Sequence, residues 1–336
     1  MTSSLPSLAP RRILVGTRSH AEIIAALRAQ RPGLACRGAP HTGVTADDLA
    51  WADTYVGFKR PPAAATMGSV QWVHCTGAGV DAWLAPVPLD ASILLTRTSE
   101  SFGSAIAEWA VARVFAFQQQ LPDFAAAQRE HRWAPRDVPR VAGTRALVLG
   151  TGDVGRAIAR ALAALGVAVT GVSRTGAART GATHTGPAPT GAAPEAPSPF
   201  AFVHAVEALP SLVGEADWIV VALPDTPATR GLFSHRVMEQ CRGAVLLNVG
   251  RGAVVDEAAL PEALDRGWLR GAALDVFVEE PLPAAAPLWD HPRVILSPHG
   301  AGPTTVDGAV HGFLECLTTI ERGERPRWTV DRNRGY

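Results

Sequence analysis

Short apolar runs recur along this chain, broken by polar or glycine-bearing stretches, and many of them are followed by segments with apolar residues every three or four positions. Residues 13–15, 70–74 and 93–96 read as buried strands, and 21–29 reads as a helix. A longer helix is expected over 104–121, with Ile106, Ala110, Val114 and Phe117 on one side. A polar, proline-bearing connection follows over 128–143. Beyond it, strands are expected at 146–149, 167–172, 218–223, 244–248, 271–276 and 294–296. Helices at 154–165, 234–240, 257–267 and 304–322 alternate with them. Strand and helix taking turns predict an α/β protein built on parallel sheets.

The most informative stretch is 145–174. Gly150, Gly152 and Gly155 form a G-x-G-x-x-G pattern between an apolar strand and a helix, and a second strand follows. The first glycine suits the tight turn. The second lets a pyrophosphate approach the backbone, and the third lets the helix pack on the strand. Thr151, Asp153 and Val154 complete the turn and open the helix, whose N-terminus favours anions. At the end of the second strand, where an acid would take the ribose 2′-hydroxyl of NAD, stand Ser173, Arg174 and Thr175. A hydroxyl and a guanidinium suit a 2′-phosphate, so NADP(H) is expected over NAD(H). The fold class that follows is a pair of Rossmann-like or flavodoxin-like doubly wound parallel-sheet domains with the active site in the cleft between them. Residues 104–298 would bind the dinucleotide and sit inside a discontinuous substrate domain made of 1–103 and 299–336.

Composition narrows the class further. The 336 residues carry 31 basic and 31 acidic side chains, with no block of like charge, which argues against nucleic acid and anionic membranes as partners. The apolar runs are strand-length, far short of a membrane span, and the N-terminus lacks the apolar core of a signal peptide. Cys36, Cys75, Cys241 and Cys316 are scattered and form no C-x-x-C pair, which predicts reduced thiols, a cytoplasmic location and no metal site. Four pentapeptides in register, beginning at Thr175, Thr180, Thr185 and Thr190, are rich in Gly, Ala, Pro and Thr. They are expected to form a low-complexity surface loop over 175–199.

Three downstream segments carry residues suited to hydride transfer onto a 2-keto acid. Arg251 follows the strand ending at Asn248, in the run Asn248, Val249, Gly250, Arg251. Asp275 and Glu280 follow the next strand, and His299 follows the last. Ligands in open α/β sheets bind beyond strand carboxyl ends, where all three lie. Hydride arriving at a ketone carbon leaves negative charge on oxygen. An imidazole, which changes charge near neutral pH, can supply the proton. A carboxylate on its other ring nitrogen fixes the tautomer, and a guanidinium can take a substrate carboxylate through two parallel bonds while polarising the carbonyl.

Taken together, the segments at 75–81, 150–155, 223–232, 248–256, 274–282 and 297–300 resemble the D-2-hydroxyacid dehydrogenase family, and most of all its NADPH-dependent glyoxylate/hydroxypyruvate reductase branch. The resemblance implies Arg251 as the substrate-binding arginine, Glu280 as the partner of the histidine and His299 as acid/base. It implies that the backbone amides of Ala78 and Gly79 grip the substrate carboxylate, and that Leu223, Pro224 and Asn248 line the cofactor groove together with Val249, Gly250 and Asp275. Glu279 competes with Glu280. The latter is favoured because it directly precedes Pro281. Gly300 stands where a bulkier residue is frequent, and the pentapeptides fall where relatives have a short turn. The single lysine, Lys59, and its neighbour Arg60 follow a strand and would favour an acidic or polar substrate tail. Trp133 lies in a region that packs at a homodimer interface in relatives, formed by the nucleotide-binding domain. The expected reaction is reduction of a small 2-keto acid to the D-2-hydroxy acid. A phosphite-type dehydrogenase of the same fold and a non-enzymatic dinucleotide sensor are the alternatives.

Overall fold

In the computed structural model, residues 10–62, 66–99, 102–176 and 197–335 are described, and the chain divides into two compact units, Met1–Phe102 with Pro303–Tyr336, and Gly103–Gly302.

The first unit is built on five parallel strands, β1 (Arg12–Gly16), β2 (Ala35–Ala39), β3 (Thr54–Val56), β4 (Trp72–Cys75) and β5 (Leu94–Arg97), in the order β2-β1-β3-β4-β5. Alternation along β1 sends side chains to two separate cores. Leu14 joins Tyr55, Val73, Trp83 and Leu95 on one face, whereas Ile13 and Val15 join Val56, Trp72 and Phe313 on the other. The helix Val306–Glu321 closes that second face, its Phe313 ring stacked on Trp72 with centroids 4.9 Å apart. Beside the stack lies a buried polar knot. His74 Nδ1 is 2.8 Å from Thr96 Oγ1, its Nε2 is 3.0 Å from Thr98 Oγ1, and Trp72 Nε1 donates to Thr96 Oγ1 at 2.8 Å.

The second unit holds seven parallel strands, β6 (Arg145–Leu149), β7 (Ala168–Ser173), β8 (Phe202–Ala205), β9 (Trp218–Val221), β10 (Ala244–Asn248), β11 (Leu269–Leu274) and β12 (Val294–Leu296). Their order, β12-β11-β10-β9-β6-β7-β8, reverses direction between β6 and β9, as in doubly wound dinucleotide-binding sheets. The helix Asp153–Ala164 buries Gly155, Ile158, Ala159 and Leu162, the i, i+3, i+4, i+7 stripe of an amphipathic helix. Beside it packs the helix Gly103–Gln118.

That helix is shorter than its apolar pattern predicts. It ends at Gln118, Gln120 turns to a φ of 52°, and a new helix runs over Leu121–Arg129 with Pro122 in its first turn. A proline cannot continue a helix, but it suits the first turn of one, so the chain changes direction there. The helix expected over 234–240 is a single turn, His235–Met238, and the one expected over 257–267 is a 3-10 turn followed by Leu260–Asp265. Most of the pentapeptide segment, residues 177–196, lies outside the described residues. The four cysteines are buried and unpaired, and no helix among the described residues is long and apolar enough to cross a membrane.

Burial holds His74 neutral and pushes its pKa down to about 3. In the unfolded chain an imidazole titrates near 6.5, so the unfolded state binds the extra proton. Stability from this group is therefore complete above about pH 6.5 and is lost as pH falls toward 3. Between pH 6 and pH 5 the wild type is expected to lose about 1 kcal/mol more unfolding free energy than His74→Gln. Urea unfolding at the two pH values checks this, and parallel losses in both proteins would refute it.

Candidate active site

Every candidate on the second unit lies at or beyond the carboxyl end of a parallel strand. Gly150 follows β6 with a φ of 106°, a region open to glycine and strained for other residues. A side chain there would also lie 2.5 Å from the Ala222 carbonyl oxygen. Gly155 lets the helix close on this turn, since a Cβ would come within 1.9 Å of the Gly150 oxygen. Around Gly152 the space is open, with nothing within 4 Å of a Cβ, and no side chain caps the helix that begins beside it. A helix N-terminus without a side-chain cap, beside open space, fits the pyrophosphate of a dinucleotide. Thr151, Asp153 and Val154 are half-buried in the same turn. Ser173 ends β7, and Arg174 and Thr175 just beyond it are exposed.

The loops after β9 and β10 carry the next group. Leu223 and Pro224 are half-buried, with the Pro224 carbonyl accepting from Thr229 Oγ1 at 2.6 Å. Asn248 is buried and braces its own loop. Its Nδ2 donates to the Arg251 oxygen at 3.1 Å, and its Oδ1 accepts from the Gly250 amide at 3.1 Å. Val249 is buried, and its amide donates to the Val221 oxygen at 3.0 Å, tying the β10 loop to β9. Arg251 sits half-buried at the end of this brace and donates from Nη1 to the Gly250 oxygen at 2.7 Å.

His299 and Glu280 meet. His299 Nδ1 is 2.8 Å from Glu280 Oε2, while Glu280 Oε1 accepts from the Phe277 amide at 3.0 Å. A carboxylate only accepts, so the ring proton belongs on Nδ1 and Nε2 is left for exchange. Glu279, the competing acid, is exposed.

A positioning network stands behind this pair, and sequence reading missed it. Asp275 is expected from sequence to line the cofactor groove, yet the residue is 2% exposed and its carboxylate is already engaged. Oδ1 accepts from Ser297 Oγ at 2.6 Å and from the Gly300 amide at 2.9 Å, and Oδ2 accepts from the Ala301 amide at 2.9 Å. The Asp275 backbone oxygen accepts from the His299 amide at 2.8 Å, and Trp109 Nε1 donates to Ser297 Oγ at 2.9 Å. His299 itself has a φ of 51°, an uncommon conformation for a residue with a side chain. Holding it costs about 1–3 kcal/mol, which bonds on both sides of the residue offset. Nothing in the spacing of Trp109, Asp275 and Ser297 signals this meeting. The one available hint is an acid directly after the apolar run at 272–274.

On the first unit, Ala78 and Gly79 are half-buried in the loop after β4. Their amides donate to no acceptor among the described residues, while Arg97 Nη1 donates to the Ala78 oxygen at 2.7 Å. Lys59 is exposed in the loop after β3, its carbonyl 3.1 Å from the Tyr55 hydroxyl. Among the described residues no group of three or more His, Cys, Asp or Glu side chains is placed to hold a metal ion.

A family model for the D-isomer specific 2-hydroxyacid dehydrogenase NAD binding domain matches residues 111–301. The glyoxylate/hydroxypyruvate reductase A of Salmonella newport is 33% identical over 285 residues, covering 82% of this chain and 86% of that protein. Among solved structures, a D-isomer specific 2-hydroxyacid dehydrogenase from Xanthobacter autotrophicus Py2, in complex with NADPH and MES, superposes with a TM-score of 0.84. It is 34% identical and is covered completely, by 98% of this chain. The NADPH-dependent glyoxylate/hydroxypyruvate reductase of Sinorhizobium meliloti, in complex with NADP and sulfate, gives 0.82 at 27% identity, over 97% of this chain and all of its own.

The Asp275 network carries a stability consequence. Asp275→Asn replaces an acceptor with a donor among three N–H and O–H groups, so about 1–3 kcal/mol of unfolding free energy should be lost. Ser297→Ala, which strands the Trp109 indole N–H, should show a smaller loss in the same denaturant titration. A variant pair as stable as wild type would mean the network does not hold the segment.

Proposed function

Because the chain belongs to the D-isomer specific 2-hydroxyacid dehydrogenase family, we propose that it reduces a small 2-keto acid of the glyoxylate or hydroxypyruvate kind to the D-2-hydroxy acid, with NADPH as the donor. The observation that carries this reading is the His299–Glu280 pair, held beyond the same sheet edge as the dinucleotide turn and Arg251. When bound, the dinucleotide would supply a hydride for the keto carbon. His299 gives the Nε2 proton to the carbonyl oxygen as charge develops there, so that C=O becomes CH–OH. Glu280 keeps the other ring proton on Nδ1 and holds the ring's orientation. Arg251 polarises the carbonyl and binds the carboxylate, which the amides of Ala78 and Gly79 also grip. Lys59 lies toward the substrate tail.

For the cofactor, the turn of Gly150, Thr151, Gly152, Asp153, Val154 and Gly155 takes the pyrophosphate. Leu223, Pro224, Asn248, Val249 and Gly250 line the nicotinamide side. Ser173, Arg174 and Thr175 take the 2′-phosphate, a choice supported by their hydroxyl and guanidinium donors and the lack of an acid at those three positions. A homodimer would form through the nucleotide-binding unit, where Leu121, Trp133 and Val138 expose apolar side chains in succession and Trp133 is 97% exposed.

Oxidation of NADPH and of NADH in the presence of glyoxylate or hydroxypyruvate, followed at the reduced-nicotinamide absorbance, tests the reading. Turnover with NADPH is expected, and Arg174→Ala should raise KM for NADPH by about 10–100-fold while KM for NADH stays close to wild type. Equal losses with both cofactors would remove the 2′-phosphate assignment, and no turnover with any 2-keto acid would remove the reductase reading itself.

A further inference from the structure

Among the described residues, the buried side-chain nitrogen and oxygen atoms that lack a hydrogen-bond partner are Thr17 Oγ1, Arg60 Nε and Arg60 Nη2. Partnerless buried polar atoms are rare in folded proteins and call for a cause. All three of these belong to one part of the first unit. Thr17 directly follows β1, and Arg60 lies four residues beyond β3. Those two strands are hydrogen-bonded neighbours in the order β2-β1-β3-β4-β5. Their carboxyl ends form the point where a doubly wound sheet of this order changes direction, which is where such sheets take ligands.

The atoms involved define the ligand chemistry. Nε and Nη2 are the two donors along one edge of a guanidinium, the pair that meets both oxygens of a carboxylate in parallel. The Trp83 ring, itself fully buried, lies 5.9 Å from the Arg60 guanidinium carbon and keeps water from that side. The loop is fixed rather than loose. Trp83 Nε1 donates to the Phe58 oxygen at 3.0 Å, and the Tyr55 hydroxyl lies 3.1 Å from the Lys59 oxygen and 3.3 Å from the Gly16 oxygen, joining the β3 loop to the β1 loop. The Phe58 ring packs so closely on Gly77 that a Cβ there would lie 2.5 Å from it. The β3 loop is therefore also seated against the loop that presents the Ala78 and Gly79 amides.

We propose that the first unit binds a substrate with two carboxylates, the Ala78 and Gly79 amides taking the one beside the keto group and Arg60, with Thr17, taking the second. The substrate class is a 2-keto dicarboxylic acid, and Arg60 is the specificity-determining residue. The inference rests on the reductase reading for the identity of the first carboxylate. Lys59, exposed beside Arg60, adds positive charge to the same loop.

The test measures kcat/KM for glyoxylate, oxaloacetate and 2-oxoglutarate with the full-length wild type, Arg60→Gln and Thr17→Val. At least one dicarboxylate should exceed glyoxylate in the wild type. The ratio of its kcat/KM to that of glyoxylate should fall about 10–100-fold in Arg60→Gln, the effect of a charge-assisted hydrogen-bond pair, and less in Thr17→Val. A ratio that stays at the wild-type value in both variants overturns the proposal. Binding is read separately by thermal unfolding with the unreactive anions succinate and acetate. Succinate should raise the midpoint of the wild type more than acetate does, and Arg60→Gln should abolish the difference. That second arm separates the two ideas. Stabilisation by succinate without turnover on any keto acid would sink the reductase reading and leave the dianion site standing, whereas equal responses to succinate and acetate would sink the site.

Discussion

The buried carboxylate of Asp275 is the constraint on which the candidate site depends. It gathers the Ser297 hydroxyl and the Gly300 and Ala301 amides, and its own backbone oxygen takes the His299 amide. A buried side chain that accepts several hydrogen bonds in a dry environment is a stiff anchor, each bond contributing about 0.5–1.5 kcal/mol. Held on both sides, His299 can keep its left-handed backbone conformation and offer its ring to Glu280. The Trp109 indole, from the helix Gly103–Gln118, reaches the same anchor through Ser297, so the helix that packs beside the dinucleotide turn also bears on the histidine.

The same logic of backbone bracing recurs along the sheet edge. Asn248 ties its loop to itself, Val249 ties that loop to β9, and the turn at Gly150 stands against the Ala222 carbonyl. A loop with its polar groups already paired inside the protein presents few conformations to a ligand, and pre-ordering of this kind reduces the entropic cost of binding. Arg60 differs, because its guanidinium edge is buried and unpaired while the loop around it is as firmly held as the others.

Much of this was legible in the sequence because the central strands are buried on both faces. Residues 146–149 of β6, 244–247 of β10 and all of β9 are unbroken apolar runs, and the glycines between β6 and its helix could be placed by their spacing alone. The edge strands were harder. β2 and β8 bury little, and their apolar runs are broken, Ala35–Ala39 by Arg37 and Gly38 and Phe202–Ala205 by His204. The break near Gln120 depends on a left-handed residue with no glycine to mark it. At the site, Glu280 was distinguishable from Glu279 by the proline that follows it, and the structure sets Glu280 against His299. The role of Asp275 was not distinguishable, since its partners lie 22 to 26 residues further along the chain and only the fold of β11 and β12 side by side brings them together. The isolation of Thr17 and Arg60 was equally hidden, because a missing partner is a property of packing and leaves no mark in composition or spacing.

The central claim is that the imidazole held by Glu280 donates the proton that completes keto-acid reduction. Its most direct test is turnover of His299→Ala with NADPH and glyoxylate, alongside NADPH binding and the thermal midpoint of the same protein. The account predicts a loss of about 10²–10⁴-fold in kcat, the span typical of a positioned acid, with cofactor binding and folding preserved. Turnover near the wild-type rate in a folded, NADPH-binding variant would contradict it.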